Sequence, residues 1–463
     1  MSISSVLKTH KEFDKRKHSY RQVEDCLEGS ARIKKQNELY LPMPSSMLEV
    51  EVSNSGLNAD FNFEKSEIPW WHNNPAYRAY LMRARFPDIT AIAKRKMVGV
   101  SCKKKPVIEL PNHLEYLLDL CTADGDDIFS LYELIVGELI ANGKVSLLVD
   151  INKANNNCFF TIYPAITNTN WETSIDSGER KLTESVFYLG EKDGDDEFLH
   201  LFSGVNNSAS WAKFSGDDEK LVDGGVYSKQ GSTLSEIPVV NIGLYGNSPK
   251  PSELPLLGIS DIALTIYREN ADAASSRFQT CNPTLFITGE SEAPKFLGSN
   301  IVVTLPNPEA KAFYPKTDTS ALDHIQSTIN DLFNEASQYG SSFFAQQGNQ
   351  KESGEAMSLR KSDDGVSLVQ ICSQAARGLE AALEIANKYH GSSDTGAVVV
   401  DANLDFSEKE SSPQDKTAMA TLWSLKGIPH ADLLYYLRSV GALRADRTDE
   451  DILKDLQNEI PVL

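Results

Sequence analysis

The chain has 463 residues, 41% of them hydrophobic, and a formal net charge of −20; that length suits about three domains with a sizeable buried core. No run approaches the roughly 18 consecutive apolar residues of a membrane span, and the opening "MSISSVLKTHKEFDKRKHSY" lacks an apolar h-region, so neither a membrane partner nor a secretory signal is expected. The charge is uneven: 19 Lys and Arg stand against 12 Asp and Glu through Lys105, leaving 26 against 53 over the remaining 358 residues. Such an acidic body argues against tight duplex binding by the whole surface, because each retained phosphate contact needs a Lys or Arg; transient contact with DNA stays open.

In chain order, residues 1–60 read as a mixed-charge helix, an apolar, proline-bearing stretch "ELYLPMPSSM" and a polar linker. "NPAYRAYLMRARFPDITAIAKRKMVGV" reads as one helical run, and "KKKPVIELP" as a basic turn into an extended segment. "NHLEYLLDLCTADGDD" and "IFSLYELIVGELIANG" predict two amphipathic helices joined at Asp124-Gly125-Asp126. The second should end on Asn142-Gly143, a good C-cap, before the buried strand "KVSLLVDI".

From about 143 to 245 the short segments "CFFTIYP", "SVFYLGE", "EFLHLFSG", "WAKF" and "IPVVNIGLYG" alternate with Gly, Asn, Asp and Ser clusters and predict an antiparallel meander. After Pro255 the pattern turns helical: 256–280, a β-rich insert at 281–318, 319–339, a polar glycine-containing loop at 341–354, and a long helix at 355–390. On the last, Leu368, Cys372, Ala375, Leu379, Ala382 and Ala386 form a seam of mostly small residues at coiled-coil-like spacing. "GAVVVDANLDF" is a return strand, and the last fifty residues predict a small helical unit.

Signals for catalysis are weak. "ANGKVSLL" lacks the first glycine and the Ser/Thr of a phosphate-cradling loop and reads as a helix cap. "TADGDDIFSLYE" departs from the calcium-loop order and reads as a turn. The eight histidines offer no i,i+3 or i,i+4 metal pair, and no G-x-S-x-G stretch occurs. No catalytic residue, metal or cofactor is therefore expected, and no enzyme. The six cysteines lie far apart without a C-x-x-C pair, as free thiols in a reducing cytoplasm would. The clusters "KRK" (94–96) and "KKK" (103–105) read equally as nucleic-acid contacts or as solvated ends. The tryptophans of "PWWHNNPAY" mark either a binding surface or an anchor onto a core or a neighbouring subunit.

The stretch "LTIYRENADAASSRFQTCNPTLFITG" (264–289) is the informative one. Its helix carries Ile262, Ile266 and Tyr267 on an apolar side, then has no large apolar residue until Phe278, and Asn282-Pro283 breaks it. Two readings stay open on residues alone. One is a solvent-exposed helix supported by local pairs such as Arg268 with Asp272; the other is a helix whose small face packs against copies of itself around a shared axis.

Several stretches, taken in order, resemble the portal proteins of tailed double-stranded DNA phages. They are "YLMRARFPDITAIAKRKMVGVSCKKKPVIELP", "TADGDDIFSLYELIVGELIANGKVSLLVD", "YPAITNTNW", "IPVVNIGLYG…LPLLGISDIALTIYRENAD", "CNPTLFITG" and "ESGEAMSLRKSDDGVSLVQICSQAARGLEAAL", spanning roughly 75–391. The resemblance implies an α+β portal fold assembled as a ring, usually a homododecamer. The wing would be 1–255, with 1–60 an extended arm in one reading. The stem would be helices 256–280 and 319–340, and the clip 281–318. The tunnel loop would be 341–354, the long helix behind it 355–391, the wing's return strand 392–411 and the crown 412–463.

It implies a head-tail connector at the capsid vertex of a virion, assembled in the host cytoplasm, through which DNA is packaged, retained and ejected. Its partners would be other copies of itself, double-stranded DNA held without sequence preference, terminase, tail or adaptor proteins, and the major capsid or scaffolding protein. On this chain Gln346, Gln347, Asn349, Gln350 and Lys351 would face DNA, while Ala271, Ala274, Ser275, Ala375, Leu379 and Ala382 would pack between subunits. Another structural head-tail adaptor, or a metal-dependent nuclease with clustered carboxylates, are the competing readings.

Overall fold

The structure is a computed structural model. It describes residues 8–44, 74–152, 157–176, 178–192, 194–204, 208–216, 220–229, 232–281, 286–288, 309, 311–314, 320–339, 354–390 (side chains from 368), 396–404, 413–425, 427–429, 433–434 and 437. The chain divides into two compact units, Met1–Leu404 and Asp405–Leu463. It mixes helices with antiparallel strands, as its sequence patterns predict.

The first unit is built around helix α5 (Ile128–Asn142), ten of whose fifteen residues are buried. Asp127 starts the helix by accepting from the Ser130 amide at 2.7 Å, which satisfies one of the orphan donors of the first turn. Gly143 ends it in the left-handed region (φ 66°), and a Cβ there would run into the Glu253 carbonyl. Only glycine meets both demands.

Ahead of this core lie α1 (Lys11–Glu28), α2 (Ser30–Lys35), α3 (Pro75–Arg83), α4 (Ile89–Ser101) and the short strand β1 (Val107–Glu109). The single helical run expected over "NPAYRAY…" is thus two helices. Arg85-Phe86-Pro87-Asp88 interrupts them, because proline restricts the residue before it and ends the first helix. The expected helix at 112–127 is also corrected. Asn112–Leu118 is a 3-10 segment, followed by a turn in which Thr122 Oγ1 donates to Asp126 Oδ2 and accepts from the Asp126 amide.

Strand β2 (Lys144–Ile151) leaves Gly143 and pairs antiparallel with β3 (Cys158–Pro164) and β11 (Val239–Gly243); β12 (Gly246–Asn247) completes this four-stranded sheet. A second, five-stranded meander runs β4 (Asn168–Asp176), β5 (Glu179–Lys192), β6 (Asp195–Ser203), β7 (Ala209–Ser215) and β8 (Lys220–Val226); β9 (Ser228–Lys229) and β10 (Ser232–Thr233) form a small ribbon. Strands β4 and β8 escape the sequence reading. Every residue of β8 is exposed, so no apolar alternation marks it.

Val145, Leu147 and Val149 are wholly buried on one face of β2. Lys144, Ser146, Leu148 and Asp150 fall on the other by strand alternation, the face toward the meander. There Tyr163 stacks on Phe187 at 4.5 Å. Strand β15 (Val399–Asp401) returns to pair with β1. In the second unit α9 (Pro413–Ser424) is described, with Leu422 and Trp423 exposed and Leu433 and Leu434 buried.

Candidate functional site

The helix read from 256 to 280 is α6 (Leu257–Cys281), about 37 Å long at about 1.5 Å per residue. Its first half is buried: Ile259, Ile262, Ala263, Leu264, Ile266 and Tyr267 are core residues, and Ala271 and Ala273 extend that stripe. From Ala274 onward no described residue is buried.

Polar residues near the middle of the helix clamp onto the N-terminal segment. Arg268 Nε donates to the Tyr40 carbonyl at 2.9 Å, and Tyr80 OH donates to Asp272 Oδ1 at 2.6 Å. Arg268 and Asp272 therefore each have a partner off the helix, where the sequence suggested a local pair. Tyr267 is wholly buried with its hydroxyl unpartnered, and burial pushes that hydroxyl's pKa up to about 12. Beyond the core, the Arg83 guanidinium lies 3.6 Å over the ring of Phe278.

Strands β13 (Phe286–Thr288) and β14 (Lys311–Phe313) pair antiparallel, Phe286 opposite Phe313. In chain order these two strands lie between α6 and α7 (Ser320–Tyr339). Helix α7 meets α6 through one seam: Ile329 and Ala336 are buried, Ile325 and Leu332 partly so, against Ile262, Ile266 and Ala273. The spacing 325, 329, 332, 336 alternates four and three, which keeps a narrow stripe on one partner. Asp323, His324, Gln326, Ser327, Asn330, Asp331, Phe333, Asn334 and Glu335 are exposed. The helix sequence contains three carboxylates and neither Lys nor Arg. Around this pair several aromatic residues are exposed, among them Phe278 (47%), Phe286 (50%) and Phe313 (49%).

The long helix α8 (Gly354–His390) has 37 residues. Leu368, Ile371, Cys372, Ala375, Leu379, Ala382, Leu383 and Ala386 are buried, and the helix packs on α5, β2 and β11. Tyr132 OH donates to the Cys372 carbonyl at 3.1 Å. Gly378 faces Ile242 so closely that a Cβ there would overlap the isoleucine. The small residues of this seam thus bring α8 against its own chain's sheet and central helix.

The sequence-predicted packing residues fall into two groups. Ala271, Ala375, Leu379 and Ala382 are wholly buried within the single chain, whereas Ala274 and Ser275 keep part of their surface. Gln346, Gln347, Asn349, Gln350 and Lys351 lie outside the described residues. What the sequence reading missed is the clamp of Arg268 and Asp272. Its only signal was the placing of both residues beside the small and apolar positions Tyr267, Ala271 and Ala273 near the middle of α6.

Among the described residues no group of three or more His, Cys, Asp or Glu could hold a metal ion, and no helix is long and apolar enough to cross a membrane. His10 caps α1 by accepting from the Glu12 amide. His200 Nε2 approaches Glu184 Oε1 to 2.9 Å, out of hydrogen-bond alignment. Of the basic clusters, Lys94 pairs with Glu138 at 3.2 Å and Lys105 sits 4.2 Å over the Phe129 ring. All six cysteines are free thiols.

Residues 255–390, the span from α6 through α8, match a family model described as a domain of unknown function, DUF4055. No curated protein sequence matches the chain. Among solved structures, it is similar to a chain of the virion of a native gene transfer agent particle, with a TM-score of 0.37, 12% identity, and 78% of this chain and 92% of that one covered. It is similar to a chain in the neck of a native gene transfer agent particle computed with C12 symmetry (TM-score 0.33, 12% identity, 77% and 90% covered). A third is an HK97-family phage portal protein from Corynebacterium diphtheriae (TM-score 0.32, 11% identity, 71% and 94% covered).

Proposed function

We propose that the chain is the portal protein of a tailed double-stranded DNA phage or a related particle. Copies close into a ring, usually of twelve in such proteins, at one capsid vertex. The ring is the channel for DNA packaging, retention and ejection. Residues 1–255 and 392–411 form its wing, α6 and α7 the stem, and 281–318 the clip that docks terminase and then tail or adaptor proteins. Residues 341–354 are the tunnel loop, with α8 behind it, and 412–463 the crown.

The observation that carries this reading is the one-sided packing of α7. A twenty-residue helix with a single apolar seam and polar residues elsewhere gains little from standing alone, since most helical stability comes from tertiary packing. Side-by-side contacts that close into a ring give each such helix two neighbours. The partly exposed Ala274 and Ser275 on α6, and the exposed Phe278 and Phe333, supply the surface for that contact. The ordered sequence stretches that resemble portal proteins support the same reading.

The charge of α7 suits transport. Asp323, Asp331 and Glu335 without a neighbouring Lys or Arg on the helix leave nothing to neutralise phosphates, so DNA slides along such a wall instead of being held. Gln346, Gln347, Asn349, Gln350 and Lys351 then guide it through weak polar contacts and one cation per copy. Deleting 345–352 should spare ring assembly and impair packaging or retention; unchanged packaging would remove the loop from the mechanism. Terminase supplies the work of packaging, because the chain carries no nucleotide-binding fingerprint.

Negative-stain microscopy of the purified protein, with native mass spectrometry for copy number, tests the proposal. Annular particles with a central hole are expected. A compact monomer that stays monomeric at high concentration would overturn it.

A further inference from the structure

Between α1, Tyr40 and α6 lies an open cavity of about 300 Å³, at the small end of the range for ligand sites. Its charged lining is mostly basic: His18 and Arg21 come from α1 and Arg268 from α6, against one acid, Asp261. Asp261 already accepts from Gln22 Nε2 at 2.5 Å. Arg268 is held through Nε by the Tyr40 carbonyl, and its two terminal nitrogens bond to no described residue. Arg21 Nη2 donates to Gln36 Oε1 at 2.8 Å, and its Nε lies 3.8 Å from Asp25 Oδ2. Asp25 in turn already accepts from Arg32 Nε at 2.6 Å and from the Tyr40 hydroxyl at 2.7 Å. The cavity therefore presents unmatched positive charge on side chains whose positions are fixed.

This cavity and α7 lie on different sides of α6. At about 100° per residue, the lining positions Asp261, Leu264, Thr265 and Arg268 centre about 130° round the helix from Ile262, Ile266 and Ala273, which face α7. No residue of α7 lines the cavity. On α7 the same geometry sets Glu335 about 90° from the seam of Ile325, Ile329, Leu332 and Ala336, and Asp323 and Asp331 about 130–150° from it. Glu335 is exposed and makes no hydrogen bond or ion pair among the described residues. One chain thus carries an unmatched acid on the flank of α7 and unmatched bases beyond the far side of α6.

We propose that this cavity receives the Glu335 carboxylate of a neighbouring copy, which pairs with Arg268 and Arg21. The inference rests on the ring reading and names one contact within it. In a heterologous ring two different surfaces of the chain meet at every joint, so a basic notch on one side of α6 and an acid on α7 are satisfied together between copies. A guanidinium suits that task because its parallel N–H donors match the two oxygens of a carboxylate. Complementary charge also fixes register as subunits meet. Asp323 and Asp331, turned further from the seam, stay available to the channel.

Native mass spectrometry of the full chain over a concentration series reads the contact. Arg268→Glu should raise the concentration at which half the copies are in rings at least about tenfold, because it sets like charges face to face. Glu335→Arg should do the same, and the two together should recover most of the loss. Arg268→Glu also gives up the bond to Tyr40, so a second measurement leaves that bond in place. Leu39→Cys, at the exposed rim of the cavity, is combined with Glu335→Cys and treated with a short bismaleimide. Denaturing gels should show ladders of linked copies for the pair, beyond either single variant and beyond the parent with its exposed Cys281. Rings at the parent's concentration in both reversal variants, no recovery in the swap, or no extra linking in the pair would overturn this contact and leave the ring reading standing. A parent that forms no rings would overturn both.

Discussion

Lys144 offers the sharpest test of the fold's electrostatics. It is the first residue of β2, immediately after the glycine that ends α5, and its side chain is buried among polar partners without a carboxylate. Nζ donates to Asn168 Oδ1 at 2.9 Å and to the Pro249 carbonyl at 2.5 Å, and lies 4.5 Å over the Trp171 ring, against which His10 stacks at 4.1 Å. Burial pushes its pKa from the ordinary 10.5 down to about 7.

A base whose folded pKa is depressed binds fewer protons in the folded state, so stability rises with pH between about 7 and 10.5. At about 1.36 kcal/mol per pH unit that window corresponds to roughly 5 kcal/mol. This is a ceiling, because the two carbonyl acceptors and the indole face favour the ammonium. Lys144→Met removes the titration and leaves two buried acceptors short of a donor, about 1–3 kcal/mol each. The variant should therefore lie near the parent at pH 7 and fall progressively below it toward pH 10. Urea unfolding of both proteins at half-unit pH steps measures this, and the tyrosines and cysteines common to both cancel in the difference. Parallel curves across the window would refute the assignment of a neutral buried lysine.

Other consequences are local. Ile329→Ala removes the buried centre of the α6–α7 seam and should cost about 2–5 kcal/mol. Amide exchange should quicken across 320–339 while α5 is unaffected, and uniform protection would show that the seam does not hold the helix. Gly378→Ala should destabilise by about 1–3 kcal/mol through overlap with Ile242, despite a helix-propensity gain of about 1 kcal/mol. Pairing it with Ile242→Ala should recover part of that loss, and strict additivity would contradict the proposed contact. Glu24, with its pKa pushed up to about 7 by burial and then by Glu138, binds a proton more readily when folded. Its ionisation therefore costs stability as pH rises from about 4.5 through 7. Glu24→Gln should raise the thermal midpoint at pH 8 more than at pH 5, and equal shifts at the two pH values would count against that reading.

Much of the chain was legible from one dimension because local chemistry decided it. The cap at Asn142-Gly143 follows from a backbone conformation only glycine adopts at ease, and β3 begins and ends where "CFFTIYP" does because turn residues bound it. The helices at 257–281, 320–339 and 354–390 follow from periodicity and from breakers such as Pro283. Reading ran out where a pattern was weak or had two meanings. "KLVDGGV" forms β8 only because β7 offers it a ladder, and Pro87 outweighed the helical pattern on both sides of it.

Periodicity states that a face will be covered; it does not name the cover. The stripe Ala375, Leu379, Ala382 reads the same whether a sister copy or the chain's own α5 and β11 fills it, and the fold assigns it to the latter. Likewise the charge of Arg268, Asp272 and Lys144 was written in the sequence, but their partners Tyr40, Tyr80, Asn168 and Pro249 lie between 24 and 228 positions away. Burial and hydrogen bonding are relations between distant segments, so tertiary structure alone could decide which polar groups are clamped and which remain on the surface of the helical pair.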